Sequence, residues 1–211
     1  MKKELILTIF TALVLGMLSS CSPKNNTETS EVASQETESN YVLNLDSVSL
    51  QWTAYKTTQR LGVSGSFDSI AINSEKTTGT IKELLTNTKI EISTASVNSN
   101  NEIRDPKIVA FFFGKFSVPN EILATIDSAN AEKAFMSITI NGITKPVEAD
   151  YTITDNLLEI TTIINTPDWN AEAGLAALNN ECEDLHKGED GVSKLWPEVS
   201  VIVQCPLELV E

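Results

Sequence analysis

The chain has 211 residues, with 29 acidic against 15 basic side chains and a formal net charge of −14. A field of that sign repels phosphate backbones, which argues against nucleic acid as a partner, and it disfavours docking of the folded part on anionic lipid. Hydrophobic residues make up 41% of the chain, enough for one cored domain but with no run long enough to span a bilayer.

The N-terminus carries a targeting pattern. Met1-Lys2-Lys3 supplies positive charge and Leu5 to Met17 an apolar stretch, and Leu18-Ser19-Ser20-Cys21 follows. The apolar stretch is too short for a spanning helix and suits a secretory leader. Its last four residues match the bacterial lipobox, so the mature chain is expected to begin at Cys21 with a lipid on its sulfur. Residues 22–40 are almost wholly Ser, Thr, Glu, Asn and Gln. That composition cannot bury enough apolar surface to order itself, and a disordered tether is expected there. The folded domain is then 41–211. Ser22 in place of aspartate points to the outer membrane by analogy with enteric bacteria, with the protein facing the periplasm or the cell surface.

Strand patterns follow. Val48, Leu50, Trp52 and Ala54 alternate with polar neighbours, as do Leu61, Val63, Gly65 and Phe67. The inward parity slips between Phe67 and Ile70, as at a bulge or bend. Ile90 and Ile92 share a face of the next strand. Asp105-Pro106 suits the start of a short helix with Asp105 as its cap, and Ile108, Phe111 and Phe112 would form its apolar stripe, leading to Phe116. A weaker strand near 121–127 precedes three strong ones: Met136 to Ile140, Val147 to Ile153 and Leu158 to Ile164. The turns between these are Asn141-Gly142 and Asp155-Asn156. From Asp168 the period changes to helical, with Ala171, Leu175, Leu178, Cys182 and Leu185 on one face and Gly188 as the stop. The last strand, Val199 to Leu209, alternates throughout. About eight antiparallel strands and two short helices predict an all-β barrel or sandwich, and glycine bends favour the barrel.

Cys182 and Cys205 both fall on apolar faces that must meet something. An oxidising compartment favours a disulfide between them, which would add ~3 kcal/mol. The alternative, a metal site pairing Cys182 with His186 one turn later, lacks further ligands. Arg104-Asp105 reads either as a cap with an ion pair or as a head-group or catalytic pair. Trp52, Trp169 and Trp196 either fill core or line a tunnel. No phosphate-binding glycine loop, G-x-S-x-G or H-E-x-x-H motif is present, and the lone His186 has no nucleophile at a diagnostic spacing, so an enzyme is not expected.

Several of these stretches taken together resemble one family. They are Trp52 ahead of Gly62-Val-Ser-Gly-Ser-Phe67, Ser93-Thr94-Ala95-Ser96 leading to Arg104-Asp105, the Phe-rich helix, and Ile138-Thr-Ile-Asn-Gly-Ile-Thr-Lys-Pro-Val147. In order and spacing they resemble the YceI-like polyisoprenoid-binding proteins. The resemblance implies an extended eight-stranded antiparallel, lipocalin-like barrel whose pore holds a long isoprenoid or similar amphiphilic lipid, with no cofactor and no catalysis. The chain departs from the pattern in a short 116–136 segment, in the added helix with its Trp196 loop, and in the lipobox.

On that reading Trp52, Val63, Phe67, Ile90 and Ile92 would line the pore from the first strands. Phe111, Phe112 and Phe116 would do so from the short helix. Ile138, Ile140 and Tyr151 would line it from the central strands, and Trp169, Leu178 and Trp196 from the added segment. Either helix could gate it. The expected role is a membrane-anchored carrier for transport, storage or scavenging of an apolar lipid. A structural or adhesion module with a solid barrel is the alternative.

Overall fold

The computed structural model describes residues 39–210, so the leader, Cys21 and nearly all of the tether lie outside the described residues. The strands are β1 (Tyr41–Leu43), β2 (Ser49–Lys56), β3 (Leu61–Phe67), β4 (Ile70–Asn73), β5 (Thr78–Gly79) and β6 (Thr88–Ser93). They continue as β7 (Val97–Asn98), β8 (Glu121–Ala129), β9 (Lys133–Ile140), β10 (Ile143–Thr154), β11 (Leu157–Asn165) and β12 (Leu195–Leu209). The pairing order is β4-β6-β8-β9-β10-β11-β12-β2-β3-β7, with β1 laid between β12 and β5.

The two ends of that order are halves of one bent pair. Only Asp68-Ser69 separates β3 from β4, and a 3-10 turn at Thr94–Ser96 separates β6 from β7. Phe67 pairs with Val97 above the bend and Ile70 with Ile92 below it. The Asp68 N–H donates to Ser96 O at 2.9 Å and the Ser93 N–H to Ser69 O at 3.1 Å, so hydrogen bonding passes through the bend. With β3/β4 and β6/β7 each counted as one wall, the sheet closes on itself as an antiparallel barrel, and closure removes the exposed edges of an open sheet. The parity slip expected between Phe67 and Ile70 is this bend. Asn141-Gly142 and Asp155-Asn156 turn with positive φ at both positions, the hairpin geometry that follows strand twist.

The barrel is filled unevenly. At one end, here the lower, the five-residue helix α1 (Ile81–Leu85) plugs the interior, and Leu84 is 0% exposed. Its start is a capping box: Thr80 Oγ1 accepts from the Glu83 N–H while the Glu83 carboxylate accepts from the Thr80 N–H. Leu43, Leu85, Ala129, Ala134, Ala149, Leu158, Cys205 and Leu207 complete a dense core around it. At the upper end α2 (Asp105–Lys107) continues as a π-helical turn over Ile108–Phe112 and a 3-10 turn over Phe113–Lys115. Across it lie α3 (Glu172–Glu181) and α4 (Glu183–His186).

Three expectations are corrected here. Cys182 and Cys205 are buried free thiols, not a disulfide. Cys182 ends α3 at the upper end, whereas Cys205 lies ten residues down β12 from Leu195, about 30 Å at the rise of a strand. Periodicity places each on an apolar face, Cys182 of its helix and Cys205 of its strand, but says nothing of depth along the barrel axis. The helical face drawn through Leu185 also breaks. The chain leaves helical geometry at Cys182, φ −111° and ψ 25°, which re-aims α4 so that His186 is buried and Leu185 is 64% exposed. Finally, α1 adds a third helical segment to the two expected.

Closure depends on a close approach at Gly65. A Cβ there would fall 2.3 Å from Trp52 Cζ2 and 2.7 Å from the Asn98 carbonyl oxygen, so the indole lies against bare backbone. Gly65→Ala should therefore destabilise the fold by about 2 kcal/mol. Gly62→Ala, where the added carbon comes no nearer to anything than 3.2 Å from the Thr53 methyl, should cost less than about 1 kcal/mol. Urea midpoints of the two variants check this; equal shifts would show that the approach at Gly65 is not limiting.

Candidate functional site

Above the lower core the inward side chains do not meet. They enclose a cavity of about 230 Å³. Leu50, Trp52 and Ala54 of β2, Phe67 of β3, and Ile90 and Ile92 of β6 form one side. Met136, Ile138 and Ile140 of β9, Ile160 and Ile164 of β11, and Val199, Val201 and Val203 of β12 form the other. Ile122, Ala124 and Ile126 of β8 lie between them, and Leu175, Leu178, Leu195, Trp169 and Trp196 surround the upper end.

The wall offers no free donor. Only Thr162, Thr166 and the three tryptophans bring an N–H or O–H to it from their side chains, and each is engaged by a backbone carbonyl. Thr162 Oγ1 donates to Glu148 O and Thr166 Oγ1 to Pro197 O, both at 3.0 Å. The indole N–H of Trp52 reaches Ser66 O at 3.0 Å, that of Trp169 Ile138 O at 3.2 Å and that of Trp196 Thr57 O at 2.8 Å. What such a cavity accommodates without penalty is hydrocarbon; a hydrogen-bonding group inside would lose its water and gain little.

Its upper cover is built from two segments in direct contact. The π-helical turn widens the helix, so Ile108, Phe112 and Phe113 face the cavity at i, i+4 and i+5. Phe111, expected on that stripe by the 3.6 period, is turned out of it and half-buried. Phe112, Phe113 and Phe116 pack edge-to-face with centroids 5.1–5.6 Å apart. α3 lies against the backbone of this turn: a Cβ on Gly174 would sit 2.5 Å from Phe112 O. Lys107 Nζ meets Glu181 Oε1 at 2.8 Å, and this ion pair holds the ammonium's pKa above its ordinary value. Asn141 rivets the cover to the β9–β10 turn, its amide oxygen accepting from the Ser117 N–H at 2.6 Å and its nitrogen donating to Trp169 O at 3.0 Å.

The expected lining residues therefore divide. Trp52, Phe67, Ile90, Ile92, Phe112, Phe116, Ile138, Ile140, Trp169, Leu178 and Trp196 line the cavity. Val63 pairs with Ala54 but stays outside it, on a hairpin whose next inward position, Leu61, is 57% exposed. Tyr151 packs toward the lower core, where its hydroxyl donates to Asn130 O. Phe113, Leu175, Leu195 and the β12 valines were missed as lining residues; the unbroken alternation of β12 was the available signal. Arg104-Asp105 is neither cap nor ion pair among the described residues. Asp105 Oδ1 accepts from the Ser99 N–H at 3.0 Å and from its hydroxyl, bracing the loop that enters the cover.

His186 is a packing residue of the upper end rather than an exposed helix terminus. It is 8% exposed, and its Nδ1 lies 3.0 Å from Asn179 Oδ1, which also accepts from Ser193 Oγ at 3.2 Å. No group of three or more His, Cys, Asp or Glu converges to hold a metal among the described residues. Burial, and secondly the Lys56 ammonium, lower the His186 pKa from 6.5 to about 4. The unfolded chain thus takes up this proton first, so stability should fall as pH drops from about 6.5 to about 4 and lose nothing more from this group below that. His186→Gln should flatten that part of the profile. Urea midpoints at pH about 7 and about 4.5 measure it; identical slopes in both proteins would refute the assignment.

A family model described as the YceI-like domain matches residues 41–204. Among solved structures, a polyisoprenoid binding domain from Saccharophagus degradans, implicated in plant cell wall breakdown, superposes with a TM-score of 0.58 at 13% identity. That match covers 81% of this chain and 98% of the other. BcnA of Burkholderia cenocepacia superposes with a TM-score of 0.56 at 14% identity, covering 77% and 98%. No curated protein sequence matches the chain. At these identities the structures speak for the fold, and the family model for membership. The chain, with its closed antiparallel barrel and hollow upper half, belongs to the YceI-like domain family.

Proposed function

We propose that the barrel holds the hydrocarbon tail of a long-chain isoprenoid or similar amphiphilic lipid and serves to carry, store or scavenge it, without catalysis. The observation that carries this reading is the cavity wall, almost wholly apolar and with every side-chain donor already engaged. A structure of this family described as polyisoprenoid binding supports the same ligand class. Each methylene moved from water into such a wall gains about 0.8 kcal/mol before ordering costs. Affinity should therefore climb with tail length and level off when the cavity is full.

The lipobox at Cys21 supports a lipid-anchored protein of the bacterial envelope, with the outer membrane favoured by Ser22. The rival reading, a structural or adhesion module, needs a barrel packed solid, and the upper half is hollow.

All three tryptophans of the chain line the cavity, so intrinsic fluorescence reports its occupancy directly. Titration with a prenol brominated along its tail should quench most of the emission, and native mass spectrometry of gently extracted protein should show a co-purifying lipid. Protein that arrives empty and keeps its full emission at saturating prenol would overturn the lipid reading.

A further inference from the structure

An apolar chain that fills the cavity must leave its polar head outside, because the wall has no donor to offer it. The half-buried rim at Leu195 and Trp196 is one place where the cavity wall meets charge. The β2–β3 hairpin is pinned there to the start of β12: Lys56 pairs with Leu195, and the Thr57 N–H donates to Lys194 O at 2.8 Å. The Trp196 N–H, donating to Thr57 O, fixes the indole between cavity and hairpin. Lys194 Nζ stands 3.4 Å from the centre of the Trp196 ring, and the Arg60 guanidinium carbon stands 4.9 Å from it and 4.7 Å from the Tyr55 ring. One indole thus borders the hydrocarbon space and also carries two cations.

We propose that Arg60 and Lys194, held on Trp196 at the rim, receive the anionic headgroup, phosphate or carboxylate, of the lipid whose tail fills the cavity. This assignment rests on the lipid reading given above. Stacking on an aromatic face holds a cation while leaving its N–H groups free for an oxyanion, and the guanidinium presents them as a planar fork. Lys194 has no carboxylate partner among the described residues. Arg60 has only Glu198 at 3.8 Å, beyond hydrogen-bond reach, and the Glu198 Oε2 that faces it is buried without a hydrogen bond. Of the other charged groups nearby, Asp190 is engaged by Thr58 Oγ1 at 2.7 Å and the Val192 N–H at 3.0 Å. Lys56 donates to Leu185 O at 2.9 Å and adds to the positive field. In a chain of net charge −14, this local excess of cations would sort anionic from neutral heads.

The test compares matched pairs on the full chain: geranylgeranyl phosphate against geranylgeraniol, and a long-chain fatty acid against its alcohol. The wild type should bind the phosphate about tenfold tighter than the alcohol at low salt, with the advantage shrinking as salt rises. Arg60→Gln with Lys194→Gln should bring the pair to near parity while leaving alcohol affinity unchanged, which also shows that the variant is folded. Arg60→Lys with Lys194→Arg should keep most of the preference. Parity in the wild type, or full preference in the double glutamine variant, would overturn the headgroup site and leave the cavity reading standing. Failure of the alcohols as well as the anions to bind would overturn both. The fatty-acid pair tells whether any oxyanion suffices or phosphate alone is held.

Discussion

The dense lower half of the barrel is the constraint on which the upper half depends. A hollow of 230 Å³ forgoes about 5 kcal/mol of packing, at roughly 24 cal/mol per Å³ of void. That is comparable with the whole stability of an ordinary domain. The molecule tolerates it because α1, with Leu84 fully buried, and the Ala129–Ala134–Ala149 contacts consolidate the other end. Small residues on neighbouring strands let the lower walls draw in, while isoleucine, valine and aromatic side chains hold the upper walls apart. A bound tail would recover part of the forgone contact energy, so binding and stability are linked through the same void.

Function and fold meet again in the cover. A regular helix over 105–115 would have directed Phe111 and Phe112 inward; the π-helical turn instead sends Phe112 and Phe113 to the cavity. Gly174 then permits α3 to rest on that turn's backbone. The contact is intimate on one side and tied by a single exposed ion pair, Lys107–Glu181, on the other. Exposed pairs of this kind contribute little to stability, so the junction of the two segments is weakly held at its outer edge.

Much of this could be anticipated from residue order. Strands with one apolar face announce themselves by alternation, and Asn141-Gly142 and Asp155-Asn156 marked their hairpins by side chains that accept positive φ. Even α1 carried its capping box openly, in Thr80 and Glu83, though five residues gave too little periodicity to reveal it. What alternation cannot express is position along the barrel axis. Apolar patterning therefore failed for Cys182 of the helix and Cys205 of the strand, whose apolar faces lie at opposite ends, and for Tyr151, which points inward yet belongs to the packed half. Helical phase failed where hydrogen-bond register departs from the ideal, at Phe111 in the π-turn and at Leu185 beyond the break at Cys182. Each miss is a case in which a neighbouring element, rather than the local chain, decides the geometry.

The short strand β1 fixes the end of the barrel at which the domain begins. It pairs with Leu207 to Leu209 at the lower end of β12, and Asn40 O accepts from the Val210 N–H there. The polypeptide ahead of Asn40 thus joins the domain at its sealed base. Trp196 stands at the far end of β12 from that attachment, so β1 closes the packed half and leaves the rim and the cover unobstructed.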